Sequence, residues 1–450
     1  MKRLVPIFLF AQLSACAQYE PRPVDWGAYP LLHYVRPLET VLTEQGQSGS
    51  EFLAQALETS PTILQSHSSV LAVRAAVGRS RIYPAPSLSL TADYSKVAVS
   101  ASPWLYGAAL GLPTEMVKRR DVLERFSDLE ALQAYYAHVD ALWATYSRVK
   151  HGFIERRTAD EEQQVVSELV LARSTVLTLM EQKIEAGEEP SLAIARMKST
   201  LAAARGLERA ATARRARANQ ILAQELGLAV DQVEKLRIIP AEDDVSFDPT
   251  DLMTWRRDAV LLRKDVLAAV AAYDRADLDL RRAYARQYPQ VRLGPGYVWD
   301  HRFDRPPLAL GLSLPPYDLN KTAITEADAR RAEAAQTLES NQTAVLAAVD
   351  QAHSALTQAQ ENLHQADKVD LQMARKAFGA AQINYRFGET DELDFAAAKA
   401  AVAEATLSVI EARYLVRLAQ ADLEDALRRP FSLQDRLSLQ SVTDKLKTAP

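Results

Sequence analysis

The chain says the same thing twice, at an interval of about two hundred residues. Tyr83-Pro84 opens an alternating stretch carrying Leu88 and Tyr94, and Tyr288-Pro289 opens another carrying Leu293 and Trp299. Each copy closes a second alternating stretch on Leu-Pro: Tyr106-Gly107-Ala108-Ala109-Leu110-Gly111-Leu112-Pro113 is matched by Leu308-Ala309-Leu310-Gly311-Leu312-Ser313-Leu314-Pro315. Beyond each Leu-Pro lies a long proline-free segment broken once, at Ala186-Gly187 and at Phe387-Gly388. A unit this long is not a solenoid repeat. It predicts one body made of two halves, each mixing strands with very long helices, rather than a string of separate domains.

Prolines map the helices, because an interior proline removes a backbone donor and clashes with the preceding turn. None occurs from Thr114 to Glu189, from Ser191 to Ile239, from Thr250 to Tyr288 or from Tyr317 to Arg429. Helices over 114–183 and 318–386 would each reach roughly 100 Å at ~1.5 Å per residue. Their apolar positions repeat every 3.5 residues: Val345, Val349, Ala352, Leu356, Ala359, Leu363 and Ala366 step by four and three. The returning helix does the same through Ala396, Ala400, Ala403, Leu407, Ile410 and Tyr414. Such heptads specify left-handed coiled-coil packing, and the many alanine knobs let helix axes approach closely. A plain antiparallel coiled-coil hairpin would explain these helices but not the strands.

The N-terminus has the pattern of an export signal. Lys2 and Arg3 precede a short apolar run from Leu4 to Leu13, too short to span a bilayer. Leu13-Ser14-Ala15-Cys16 resembles a bacterial lipobox, in which cleavage precedes the cysteine and the cysteine carries the lipid. Cys16 is the sole cysteine, so no disulfide can form within one chain. The alternative is an ordinary signal peptide that happens to contain a cysteine. Ala17, rather than an aspartate, follows Cys16, which by resemblance to lipoprotein sorting signals favours the outer membrane. No other segment has the ~20 uninterrupted apolar residues of a membrane helix. If the mature chain crosses a membrane, it does so as strands.

Ser87 to Tyr94 alternates apolar with Ser, Thr or Asp, and Gln290 to Asp300 sets Val291, Leu293, Pro295, Tyr297 and Trp299 on one face. The partner strands, 104–112 and 307–314, place leucines on one face and Gly, Ala or Ser on the other. Alternation alone leaves a soluble sandwich and a membrane barrel open. Four strands cannot close a membrane barrel, whose smallest forms use about eight, but three chains would supply twelve. Lipid would then meet the apolar face, and Tyr94, Trp104, Tyr106, Tyr297 and Trp299 would be candidates for the interfacial aromatic belt.

The order of lipobox, helix, strand pair, long helix, glycine turn and helix, followed by the same again, resembles the TolC-like outer membrane efflux proteins, also called outer membrane factors. Arg81-Ile82-Tyr83-Pro84-Ala85-Pro86-Ser87-Leu88-Ser89-Leu90 is similar to that family's helix-to-strand junction. Gly311-Leu312-Ser313-Leu314-Pro315-Pro316-Tyr317-Asp318 is similar to its strand-to-helix junction. Tyr385 to Phe395 resembles the turn at its periplasmic tip. The likeness runs from about Ser50 to Arg429. It implies a mainly α fold with β: a homotrimer with a 12-stranded outer membrane β-barrel, four strands per protomer, continuous with a long α-helical coiled-coil periplasmic tunnel. It also implies docking through a periplasmic adaptor protein to an inner-membrane pump of the resistance-nodulation-division or ABC type. The chain would be a passive exit duct in the outer membrane of a Gram-negative bacterium. Two departures stand out: Leu319-Asn320-Lys321 follows Asp318 where the family commonly has Gly and Arg, and the loops between strands are very short.

The expected organisation is a signal peptide (1–15), a lipidated segment (16–49), a first repeat (50–228), a linker (229–250), a second repeat (251–429) and a tail (430–450). The resemblance implies that Asp394, six residues after Gly388, lines the narrowest point of the tunnel; three copies would form a carboxylate ring. Asp391, one helical turn earlier, would add a second ring or serve as an N-terminal helix charge. The matching position after Gly187 is Ala193, which adds no charge. Gly187 and Gly388 are read as helix terminators, and Arg386, Lys183 and Glu188 as adaptor contacts or ordinary solvated helix ends.

Other functions find little in the sequence. A net charge of -5, with basic and acidic residues interspersed, gives no reason to propose nucleic acid. The seven histidines are scattered, with no pair at helical i, i+4 spacing and no second cysteine for a zinc site. There is no glycine-rich phosphate loop and no Gly-x-Ser-x-Gly elbow, so neither an enzyme nor a cofactor is expected. The competing reading is a periplasmic coiled-coil structural or adaptor lipoprotein without a pore.

Overall fold

The structure, a computed structural model, describes residue 21 and residues 49–80, 85–94, 103–113, 117–187, 192–235, 252–300 and 303–448. The signal peptide, Cys16, Glu188, Pro190 and most of the 229–250 linker lie outside the described residues.

Each half has the same order of elements. The first runs α1 (Gly49–Thr59), α2 (Pro61–Ser80), β1 (Ser87–Tyr94), β2 (Trp104–Pro113), α3 (Val117–Glu185) and α4 (Leu192–Leu226), followed by the short α5 (Val230–Glu234). The second runs α6 (Leu252–Leu262), α7 (Lys264–Ala285), β3 (Gln290–Asp300), β4 (Phe303–Arg305), β5 (Leu308–Ser313), α8 (Lys321–Gln365), α9 (Leu371–Arg386) and α10 (Glu392–Leu427). The tail expected over 430–450 forms α11 (Leu433–Thr448), which packs beside α1.

At 69 residues, α3 is unbroken and roughly 100 Å long. Its counterpart is not unbroken: α8 and α9 are joined by a π turn, Ala366–Asp370, in which the Leu371 N–H donates to the Ala366 carbonyl five residues back. The heptad stripe expected on α8 is the buried stripe, with Val345, Val349, Ala352, Leu356 and Ala359 all inside. On α10, Ala396, Ala400, Ala403 and Ile410 face inward as their spacing requires. One core joins α1, α3, α4 and α5 through Leu57, Leu142, Tyr146, Leu222 and Val233. A second joins α6, α7, α8 and α10 through Ala259, Val266, Leu356 and Leu423. A third ties the two halves together, with Leu169 and Ala172 of α3 and Ala204 of α4 against Ala400 and Ala403 of α10.

The α3–α10 seam carries polar rungs along its length. Trp143 Nε1 donates to Asp425 at 2.7 Å, His151 Nε2 meets Asp422 at 2.9 Å, Arg417 reaches Glu161 at 3.3 Å and Arg173 reaches Glu404 at 2.5 Å. The two exposed pairs, His151–Asp422 and Arg173–Glu404, are worth about 0–1 kcal/mol each, so they set the register of the two helices more than they hold them together.

The strands form one antiparallel sheet in which the two halves meet. β1 pairs with β2, and β2 pairs with β3 of the second half. The other edge of β3 carries both β4 and β5. Four strands were expected, and five segments are present because the fourth is interrupted at Pro306-Pro307. Proline offers no N–H to the ladder, so the prolines contribute only the Pro307 carbonyl, which accepts from the Gly296 N–H at 2.8 Å, and the strand resumes at Leu308 in the same register. The outer edges of β1 and of β4–β5 pair with no other strand among the described residues.

The register sorts the two faces. Leu88 lies opposite Leu110, Leu90 opposite Ala108, Tyr106 opposite Trp299 and Pro295 opposite Leu308, so one face is apolar. The other face carries Ser87, Ser89, Thr91, Gly107, Ala109, Gly111 and Gly296. The apolar face is open: Leu90 is 75% exposed and Leu308 71%. On the small face, a Cβ added at Gly107 would come within 2.5 Å of Thr91 Oγ1, and one at Gly111 within 2.4 Å of Ser87 Oγ. Only glycine lets those hydroxyls lie across the neighbouring strand. Both faces of β1 are exposed, and a sheet that leaves a contiguous face of leucines and aromatics open departs from the pattern of a water-soluble domain.

Where the sheet passes into α8, the chain bends through two consecutive left-handed residues, Leu319 (φ 54°) and Asn320 (φ 62°). Neither is the glycine that the conformation favours. The corner is held from both sides: the Asp318 carboxylate accepts from the Asn320 and Thr322 N–H groups, and Asn320 Nδ2 donates to the Ala283 carbonyl at 2.7 Å.

Candidate functional site

The far end of the helices, away from the sheet, brings together most of the charged residues singled out by sequence. α9 stops at Gly388 (φ 76°) in a Schellman turn: the Glu389 N–H donates to the Asn384 carbonyl and the Gly388 N–H to that of Tyr385. α3 stops at Gly187 (φ 79°), whose N–H donates to the Ile184 carbonyl. Both glycines sit where the left-handed residue must be.

Asp391 begins α10. Its backbone is extended, and its Oδ1 accepts from the Asp394 N–H at 2.9 Å, which is an N-cap. Its other oxygen pairs with Lys183 Nζ at the end of α3, joining the two helical hairpins at their tips. The Lys183 ammonium, first, and then the Asp394 N–H hold the Asp391 carboxyl below the usual aspartate range. The N-terminal helix charge reading of Asp391 thus has its geometry, and the carboxylate has two protein partners.

Asp394 lies in the first turn of α10, exposed, its carboxylate making no hydrogen bond or ion pair among the described residues. Ala193 holds the second position of α4. Arg386 and Phe387 are exposed at the end of α9. Behind them, Phe395 stacks on both Phe378 and Tyr385, with centroids 5.5 and 5.1 Å away, and fixes the angle at which α9 turns into α10. Lys183 and Asp391 were each singled out from sequence, but their pairing was not expected, nor was the aromatic stack. The Asp-x-x-Asp spacing of 391 and 394 is a legible cap signal; the pairing with Lys183, 208 residues away, has none.

At the opposite end, the aromatic candidates fall into one row. Tyr94 meets Trp104 edge-on at 5.0 Å, Trp104 stacks on Tyr106 at 6.3 Å, and Tyr106 stacks on Trp299 at 6.1 Å. Tyr297 lies on the same face, one pair further from the hairpin end and opposite Ala108. All five are partly solvent-exposed. Among the described residues there is no group of three or more His, Cys, Asp or Glu able to hold a metal ion, and no helix is long and apolar enough to cross a membrane.

The chain has no match among curated protein sequences. Residues 255–427 match the family described as outer membrane efflux protein. Among solved structures, the chain is similar to the outer membrane protein VceC of Vibrio cholerae, with a TM-score of 0.68 and 16% identity over 85% of this chain and 97% of that one. It is similar to the CmeC outer membrane channel of Campylobacter jejuni, with a TM-score of 0.69 and 12% identity over 97% and 96%. The open state of the MtrE outer membrane channel of Neisseria gonorrhoeae gives a TM-score of 0.65 and 17% identity over 85% and 89%. Residues 255–427 therefore carry the outer membrane efflux protein domain, and the chain as a whole has the fold of the TolC-like outer membrane channels.

Proposed function

We propose that the protein is an outer membrane channel, the passive exit duct of a tripartite efflux or secretion system in a Gram-negative bacterium. The observation that carries this reading is the sheet, which is greasy and exposed on one face, small and hydroxyl-bearing on the other, and open at both edges among the described residues. A lone sheet of this size with no buried face is not stable in water. Three copies joined edge to edge give twelve strands with leucines in lipid and hydroxyls in a wet lumen, and no edge remains unpaired. The row Tyr94, Trp104, Tyr106 and Trp299 then becomes the interfacial aromatic belt. The long helices continue the duct across the periplasm as a ring of twelve. Cys16 carries the lipid anchor.

The tips are the end that meets the periplasmic adaptor and, through it, an inner-membrane pump of the resistance-nodulation-division or ABC type; Arg386 and Glu188 are the contacts proposed there, with Lys183. Energy comes from the pump. The chain itself supplies a path, and no catalytic role is assigned to any residue. A coiled-coil adaptor without a pore would have no use for a sheet shared between two halves with most of its leucines on one open face.

In this reading Asp394 forms a threefold carboxylate ring at the narrowest point, where Ala193 contributes nothing. Asp391, capped and paired with Lys183, is the weaker of the two ring candidates. Trimers carrying Asp394→Ala and reconstituted in planar bilayers are expected to conduct more, or to resist block by divalent cations. Conductance and block indistinguishable from the parent protein would remove Asp394 from the constriction.

A further inference from the structure

A cavity of about 610 Å3 opens where α10 ends, far from both the tips and the sheet. Its apolar floor is Val139, Leu142 and Trp143 of α3, Leu262 of α6 and Leu439 of α11. Four cations stand around it: Lys264, Arg428, Arg429 and Arg436. Of its acids, Asp140 is engaged by Arg428 at 3.2 Å, and Asp265 by Arg263 at 2.6 Å and the Val266 N–H at 3.0 Å. Lys264, Arg429 and Arg436 have no acidic partner among the described residues. Arg436 donates to the Pro430 carbonyl at 3.1 Å, yet its Nε, like that of Arg428, is buried without a hydrogen-bond partner there.

The internal duplication makes this place stand out. α4 and α10 end in the same Schellman turn, Gly227 with Leu228 in the first half and Arg428 with Arg429 in the second. Gly227 has φ 66°, and a Cβ on it would sit 3.3 Å from Pro61, the first residue of α2, so the space is closed. Arg428 takes the same left-handed conformation at φ 50°, which costs an L-residue roughly 1 kcal/mol or more relative to glycine. The second half therefore keeps a strained arginine and a cavity where the first half has a glycine and a proline. Strain of this kind persists where surrounding contacts over-determine it, and it marks candidate functional sites.

We propose that this cavity binds an anionic amphiphile, a molecule with one carboxylate or phosphate head and a short apolar body. The volume lies in the small-molecule range. Arginine forks suit carboxylate and phosphate oxygens, and the apolar floor takes the body. A ligand seated here touches α3, the start of α7, the end of α10 and α11 at once, so binding raises thermal stability. The proposal is independent of the channel reading.

The test is calorimetric titration of the purified full-length protein, held in an uncharged amphipol, with octyl phosphate, octanoate, inorganic phosphate and uncharged octyl glucoside. Saturable binding of octyl phosphate and octanoate is expected, one per chain, with octyl glucoside and inorganic phosphate each much weaker. The R429Q/R436Q double variant should lose affinity at least about tenfold, equivalent to about 1.4 kcal/mol. If that variant fails the circular dichroism check for folding, Lys264→Gln carries the test with an expected loss of about threefold or more. Equal binding of octyl glucoside would mean an adventitious additive only. That result, no saturable binding, or affinity unchanged in a folded variant would each overturn the proposal.

Discussion

His138 and His151 sit between three and four turns apart on the same helix and respond to acid in opposite ways. His138 is 1% exposed; its Nδ1 meets Ser66 Oγ at 2.7 Å, and its Nε2 has no partner in the interior. Burial first, then the neighbouring His67, lowers its pKa to about 4 from 6.5. The unfolded chain binds this proton more readily, so stability falls as pH drops from about 6.5 towards 4. His151 is raised instead, chiefly by its hydrogen bond to Asp422. Its contribution is fully present below about 6.5 and fades as pH rises through the raised value. Thermal melts across this range should show His138→Asn flattening the acid limb and His151→Asn flattening the limb above about 6.5. The reverse assignment of limbs would contradict the burial and pairing described above. Neither behaviour is legible in the sequence, where both histidines are isolated residues in a long helix; each depends on what another helix sets beside the ring.

At the scale of elements, the heptads on α8 and α10 could be read from the chain because a 3.5-residue period leaves one face apolar whatever it packs against. The alternation of the strands was legible for the same reason, and so were the two tip glycines, whose left-handed turns few other residues tolerate. Three features were not. The break at Pro306-Pro307 falls inside an otherwise good strand pattern, the left-handed Leu319 occupies a position where glycine would have signalled the bend, and the π turn follows an unbroken heptad. That turn has a geometric meaning: Ala366 and Leu371 are five apart, yet both pack on α10 beside Val409 and Ala412. In an α-helix such a step would rotate Leu371 roughly 140° away. The π turn absorbs one extra residue and keeps the tip in register. Deleting Val369 turns that step into four and should leave an uninterrupted helix, with a melting temperature equal to the parent or higher. The same deletion at Ser167, in the unbroken α3, should rotate Lys183 about 100° away from Asp391 and lower the melting temperature by several degrees. Equal damage from both deletions would show that the π turn does not relieve the register.

For the whole molecule, the duplication implies a tube of near-sixfold units, and the inexact positions show where the two halves diverge. Asp394 stands where the first half has Ala193, Arg428 where it has Gly227, and a π turn interrupts one long helix and not the other. In the proposed trimer these differences lower a sixfold arrangement to a threefold one at the tip and at the end of the return helices. The sheet fits the same proposal, since two edges unpaired among the described residues and exposed leucines suit a third of a closed surface. For a membrane barrel, which alternation alone leaves open beside a soluble sandwich, association was legible as a requirement: four strands cannot close one alone. Which residues meet across protomers was not, because edge pairing depends on backbone groups that carry no side-chain signature. The central claim is that this chain is functional only as three copies. Light scattering on the detergent-extracted protein, corrected for detergent mass, tests it most directly: the protein mass should correspond to three chains of up to 49.8 kDa each. A particle containing a single chain, in a detergent that preserves the helical circular dichroism, would contradict the account.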